Sequence, residues 1–190
     1  MLKDLLRASR SYRSFDTSVT ITNSLLRDWI DHTRYCPSSI NLQMLKFHIV
    51  NDKDTCSKVL SQTRWAAKLK DISLPPKGHE PVAYIIICAD KSVTEQAPNF
   101  AKDVGICAQT LMLAAAECDL GGCMIGSFSS EALSQALSLP EHLIPQLVLG
   151  FGKPDEEVRI VPPAEDGSVT YYRDGNIHYV QKRDLNDLII

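Results

Sequence analysis

Residues 82–89, VAYIIICA, form an unbroken β-rich apolar run. A half-buried strand alternates apolar with polar side chains, but this run has neither charge nor amide on either parity. It requires a place at a sheet centre with both faces covered. It is the longest apolar run in the chain and far too short to cross a bilayer.

The remaining sequence supplies the covering layers. Residues 101–118, AKDVGICAQTLMLAAAEC, show a helical pattern whose apolar side chains surround most of the circumference, so a central buried helix is expected over roughly residues 98–118. Leu2, Leu5 and Leu6 have helical spacing that fails near residues 9–14. Thr22 or Asn23 caps a second helix that buries Leu25, Leu26, Trp29 and Ile30 and runs until Pro37 stops it. Strands are expected at 47–50 (FHIV) and 146–152 (QLVLGFG), with a polar, partly helical segment around Trp65 that ends in the loop SLPPKGHEP. GGCMIGSF reads as a short strand or loop, followed by a helix capped near Ser129 or Ser130. Two short strands flank the turn signal Asp174-Gly175. Helices alternating with buried strands make the class α/β or α+β around a central sheet. With no repeat, low-complexity tract or linker, residues 1–190 form a single domain.

Charge narrows the function. A formal net charge of −3 gives no global attraction to nucleic acid or anionic lipid, so a bound anion needs a local cluster of donors. The six cysteines lack the paired spacings of a zinc site or secreted disulfide framework, and a reducing cytoplasm is expected. The start, MLKDLLRASRS, is interrupted by Lys3, Asp4 and Arg7 and reads as neither signal peptide nor membrane span. Dispersed histidines argue against a metal site, and no Gly-x-Ser-x-Gly elbow marks a hydrolase.

Four clusters carry chemistry. In SRSYRSF, Arg10 and Arg13 flank hydroxyls just past a helix, where guanidiniums can surround a phosphate or simply form a solvated helix end. In CPSSINLQ, Ser38, Ser39, Asn41 and Gln43 offer donors and acceptors suited to a polyol or a heteroaromatic edge, or to satisfying their own turn. Asn41 and Gln43 would point the same way in an extended segment. In LGGCMIGS, Gly121 and Gly126 have a phosphate-loop spacing, but Phe128 follows Ser127 where Lys-Ser/Thr should stand. That leaves a glycine-rich strand open to close ligand approach, or a helix-capping glycine and a core strand. The fourth cluster is the pair Lys182-Arg183, either solvated or returning to the first cluster.

In order along the chain, these clusters resemble the nitroreductase family of flavoproteins. Arg10-Ser11-Tyr12-Arg13-Ser14-Phe15 matches its Arg-Ser-x-Arg-x-Phe motif, and Pro37-Ser38-Ser39-Ile40-Asn41-Leu42-Gln43 matches its Pro-Ser-x-x-Asn-x-Gln motif. DVGICAQTLMLAAAECDLGG, LVLGFGKP and the C-terminal basic pair are similar as well. The resemblance implies an α+β, three-layer fold with a mainly antiparallel sheet flanked by helices, assembled as an intertwined homodimer with FMN at the interface. Arg10, Ser11 and Arg13, with Lys182 and Arg183, would hold phosphate and ribityl. Pro37, Ser38, Ser39, Asn41 and Gln43 would come from the other subunit. Met124, Ile125 and Gly126 would lie against the isoalloxazine, and residues 158–190 would form an extension packing on the partner. Met44-Leu45 replaces the family's common Pro-Trp, and Ser9 stands where many members have another Arg.

The implied activity is hydride transfer from NAD(P)H through flavin N5 to a nitroaromatic or quinone, with no side chain as a catalytic acid or base. A specialised flavin reaction, reductive dehalogenation or flavin breakdown, is a second possibility, though residues 52–80 leave little room for a lid. A flavin-binding redox sensor with little turnover is a third.

Overall fold

The computed structural model describes residues 1–69 and 72–190; Lys70 and Asp71, in the segment after Trp65, lie outside the described residues. In chain order the helices are α1 (Leu2–Ala8), α2 (Asn23–His32), α3 (Lys53–Ser61), α4 (Ala101–Glu117) and α5 (Ser130–Ala136). The strands are β1 (Phe15–Asp16), β2 (Leu45–Val50), β3 (Ala83–Asp90), β4 (Gly121–Ile125), β5 (Leu143–Pro154), β6 (Glu157–Val161), β7 (Tyr172–Asp174) and β8 (Ile177–Gln181). The main sheet runs β1-β5-β3-β2, with β4 on the same edge of β5 as β1, and all its pairings are antiparallel.

All eight residues of β3 are buried. Ile85 and Ile87 face α2 and α4, packed with Trp29, Leu111 and Ala108. Tyr84, Ile86 and Cys88 face the opposite layer, with Val59 of α3 and Leu133 of α5. One strand thereby joins two cores, and each fully buried isoleucine contributes about 1.5–3 kcal/mol. The fold is the expected α+β one: helices, a mainly antiparallel sheet, helices.

Local signals set the boundaries. Thr22 caps α2 by accepting the Leu25 N–H, and Ser129 caps α5 by accepting that of Ala132. The helix expected to reach Pro37 ends at His32 and tightens into a 3₁₀ turn, Thr33–Tyr35. Beyond the main sheet, β7 and β8 form the hairpin expected at Asp174-Gly175, with Gly175 at φ +56°. Its partner β6, parallel to β8, was not foreseen; its alternation is weak and its pairing is set by tertiary position.

Glycine controls one contact. A Cβ on Gly122 would sit 2.6 Å from the Gly150 carbonyl oxygen, a backbone atom that cannot swing away, whereas nothing lies within 4 Å of a Cβ on Gly126. Gly122→Ala should therefore destabilise by about 1–3 kcal/mol through overpacking, while Gly126→Ala should stay within about 0.5 kcal/mol. Paired urea titrations at constant m-value check this contrast.

Candidate functional site

The first motif leaves α1 and attaches to two distant elements. Ser9 is buried and donates its hydroxyl to the Met112 carbonyl on α4, 3.4 Å away. Arg10 turns back on α1, donating from Nε to Ser9 O (2.7 Å) and from Nη2 to Leu6 O (2.6 Å), which satisfies carbonyls at the helix end. Ser11 pairs with Gly122 in a parallel bridge, and the Tyr12 N–H donates to Gly122 O at 2.9 Å. The Tyr12 ring covers Gly121, where a Cβ would stand 2.4 Å from it. Gly121 is therefore a packing glycine and not the α4 cap. That role falls to Asp119 at φ +55°, with Leu120 N–H donating to Ala115 O.

Arg13 is held at both ends. Its backbone N–H donates to the buried Glu156 carboxylate. From Nη1 its guanidinium donates to Ser11 O at 3.1 Å and contacts His178 Nε2 at 3.0 Å, and it lies 5.2 Å from the Tyr171 ring centroid. Glu156 in turn pairs with Arg173 at 2.7 Å, both side chains being buried. Five nitrogen-bound hydrogens belong to a guanidinium, and Nη1 alone engages protein among the described residues, so donors remain for an anion.

The second motif is anchored to the other end of α4. Ser39 donates its N–H and its hydroxyl to the two oxygens of Asp103, at 2.8 and 2.7 Å. Asp103 is buried in the first turn of α4, where the helix field favours negative charge. Around this anchor Ile40, Asn41 and Gln43 have φ of +44°, +57° and +49°, a conformation that L residues adopt at a cost. The segment is thus coiled and not extended. Asn41 and Gln43 still meet, Gln43 Nε2 donating to Asn41 Oδ1 at 3.2 Å, while Ser38 Oγ accepts the Gln43 N–H at 3.2 Å. Pro37, Asn41 and Gln43 are exposed, and Ser38 and Ser39 half-buried.

Met124 is exposed near the end of β4, Ile125 points into the core, and Gly126 follows with open space around its backbone. Structure brings the first motif to β4, but within one chain it leaves the second motif apart. Their anchors on α4, Asp103 and Met112, lie nine residues or roughly 13 Å apart. Lys182 and Arg183 are exposed beyond β8; the C-terminal contacts to Arg13 come instead from Tyr171 and His178.

Sequence reasoning missed Asp103, Glu156, Tyr171, Arg173 and His178. Asp103 had a signal, an acid on the buried face of an otherwise apolar helix. The C-terminal group had none, since only folding brings residues so distant together. Because arginine only donates, His178 Nε2 must be the acceptor, so the ring is neutral with its proton on Nδ1. Burial, then the Arg13 and Arg173 charges, lower its pKa from 6.5 to about 4. Among the described residues no group of three or more His, Cys, Asp or Glu is placed to hold a metal, and no helix is long and apolar enough to cross a membrane.

A mainly antiparallel sheet between helical layers, with a basic first motif on one edge strand and a polar loop anchored to the central helix, defines the nitroreductase type of α+β fold. Residues 6–153 match the model of the Nitroreductase family, and the chain belongs to that family. A relative in Methanothermobacter thermautotrophicus, named "Putative NADH dehydrogenase/NAD(P)H nitroreductase", is 28% identical over 158 residues, covering 80% of this chain and 77% of the relative. The fold is also that of a solved nitroreductase family protein from Streptococcus pneumoniae TIGR4 (TM-score 0.70, 16% identity, 91% of this chain and 100% of that one). A solved FMN-dependent nitroreductase from Clostridium difficile R20291 is similar too (TM-score 0.64, 23% identity, 80% and 87% coverage).

Two outcomes are expected. Ser39→Ala removes a hydrogen bond to a buried carboxylate and should destabilise by about 2 kcal/mol in urea unfolding. Lowering pH from 6.5 towards 4 should also destabilise the protein, because there the unfolded chain protonates its His178 while the folded chain does not. Arg13, Tyr171 and Arg173 face that ring, and Glu156 pairs with Arg173 behind them. Half-buried His48 shifts in the same direction, so the control is His178→Gln, whose stability should fall less steeply across this window. Asp16, Asp52 and Asp90, held below the ordinary carboxylate range, lose their contribution only at lower pH.

Proposed function

We propose that this protein is an FMN-dependent oxidoreductase that uses NAD(P)H to reduce an electron-poor acceptor of nitroaromatic or quinone type. The observation that carries this reading is the attachment of the first motif to β4: the Ser11–Gly122 pairing sets Arg10 and Arg13 at one end of a strand whose other end is the open segment Met124–Gly126. From residue 122 to residue 126 a strand covers roughly 13 Å, which suits a ligand with an anionic phosphate at one end and a flat ring at the other. The family, together with the FMN-dependent nitroreductase among the similar solved structures, supports FMN as that ligand.

The residues present fit it. Arg10, Ser11 and Arg13 would hold phosphate and ribityl with charge-assisted hydrogen bonds, joined by Lys182 and Arg183, an arrangement needed because the chain as a whole is acidic. Met124, Ile125 and Gly126 would line the ring, with the exposed backbone at Gly126 open to close approach. Pro37, Ser38, Ser39, Asn41 and Gln43 would complete the site from a second copy. The separation of the two anchors along α4 supports that division. So does the outer face of α4, where Gly105 has open space and Ile106 and Gln109 are exposed. An antiparallel two-fold packing of these faces would set the Asp103 end of one copy beside the Met112 end of the other. Residues 158–190, which leave Ile160, Leu185, Leu188 and Ile189 exposed, would add a second layer of that dimer contact.

When bound, FMN supplies the redox chemistry, accepting hydride from reduced nicotinamide and passing two electrons to the acceptor. The chain's residues bind, orient and exclude water; none serves as an acid or base.

The purified protein should be a yellow dimer that oxidises NADH or NADPH with menadione or a nitrofuran. Arg13→Ala should weaken FMN binding roughly ten- to hundredfold, the equivalent of one charge-assisted hydrogen bond, while turnover per bound flavin stays near that of the unaltered protein. A colourless protein that refuses added FMN, or an Arg13→Ala protein full of flavin but inactive, would sink the proposal.

A further inference from the structure

The C-terminal three-stranded sheet stands against the first motif through a cluster that no part of the flavin chemistry requires. His178, on β8, is 1% exposed and its Nε2 lies 3.0 Å from Arg13 Nη1. The Tyr171 ring lies under the same guanidinium and 5.2 Å from the His178 ring. Glu156, at the junction between β5 and β6, accepts the Arg13 backbone N–H and pairs with Arg173 of β7. The side chain of Arg13 is therefore fixed by His178 on β8 and Tyr171 just before β7, and its backbone by Glu156 just before β6. An arginine stem has several rotatable bonds, and a free one would lose that freedom on closing around an anion.

We propose that His178 is a positioning residue for Arg13, and that through it the docking of the C-terminal sheet and the affinity of the phosphate end of the flavin site are one coupled property. The inference rests on the flavin reading for its ligand, but its contact with Arg13 belongs to this chain alone. The neutral ring accepts from Nη1 and leaves Nε and Nη2 for the phosphate. Loss of that acceptor frees the guanidinium, and loss of Arg13 in turn removes the hydrogen-bond and cation–π contacts that hold the sheet. By linkage, flavin must then stabilise the sheet as much as the sheet stabilises flavin binding.

The test uses His178→Leu, which keeps bulk without an acceptor, and His178→Gln, whose side-chain oxygen can stand in for Nε2. FMN release from the diluted, full-length holoprotein is followed by flavin fluorescence, and amide hydrogen exchange is followed across 171–181. The leucine variant should hold FMN at least tenfold more weakly and exchange faster across 171–181; the glutamine variant should stay within about threefold of the unaltered protein. Should the leucine variant fail to fold, Tyr171→Leu removes the ring beneath Arg13 at a half-buried position and should weaken FMN in the same direction. Leucine-variant affinity within twofold of the unaltered protein would overturn the proposal. If the unaltered protein binds no flavin, the functional reading fails first. Exchange then decides this inference by itself: Arg13→Ala must speed exchange across 171–181, and unchanged exchange there overturns the coupling.

Discussion

A strand buried on both faces leaves no room for a ligand at the centre of this fold. Ile85, Ile86 and Ile87 of β3 are fully buried in succession, so adjacent residues of one strand fill opposite cores, and opening either face would expose the other layer's support. A bound molecule must therefore sit at the perimeter, where strands end and loops begin. Both polar motifs and the open Met124–Gly126 segment lie there. The same constraint explains the packing glycines: β4 must approach β5 and the first motif closely, and side chains at Gly121 or Gly122 would push the edge strand away from Tyr12 and the Gly150 backbone.

Two buried acids do the anchoring. Asp103 holds the second motif through two hydrogen bonds from Ser39, and Glu156 holds the first through the Arg13 backbone. A buried carboxylate is costly unless satisfied, so each acid makes its loop's position compulsory: moving the loop strands a charge. At the second motif this counters local strain. Three left-handed residues in four positions, each costing about 1–3 kcal/mol for a non-glycine residue, persist only where surrounding bonds over-determine them. Ile40 is the sharpest case, since a β-branched side chain resists that conformation most.

A central sheet covered on both faces could be read from VAYIIICA and the all-round apolar pattern of residues 101–118, because burial is a composition signal that survives without coordinates; the choice of α+β came from the family resemblance. Caps at Thr22 and Ser129 were legible for a similar reason: the hydrogen bond they make is local. The first motif's neighbour β4 was legible only as a glycine-rich stretch, with the reason for Gly121, the Tyr12 ring, more than a hundred residues away. The coiling of 40–43 escaped because Asn41 alone of Ile40-Asn41-Leu42-Gln43 favours left-handed backbone; for its neighbours an external anchor on Asp103 imposes it. His178 and Glu156 escaped for a stronger reason. In sequence one is an ordinary strand residue and the other an ordinary acid between two strands, and the meaning of each comes entirely from what faces it.

Sequence distance also separates the supports of the two motifs. Arg13 and His178 are 165 positions apart, and so long a closure carries no reward until the intervening sheet exists to bring the ends together. The first motif can rest on β4 once α4 and the main sheet have formed, but its guanidinium gains its fixed orientation only when the C-terminal sheet docks. The phosphate end of the proposed site thus depends, within one chain, on contacts from the C-terminal region. The second motif, tied to Asp103, depends instead on the N-terminal end of α4. A site assembled this way discriminates between complete and incomplete folds: a chain whose C-terminal sheet has not docked presents a basic motif with the right residues but not the geometry. The polar network around Arg13 thereby makes the proposed ligand a reporter of whether the C-terminal sheet is docked.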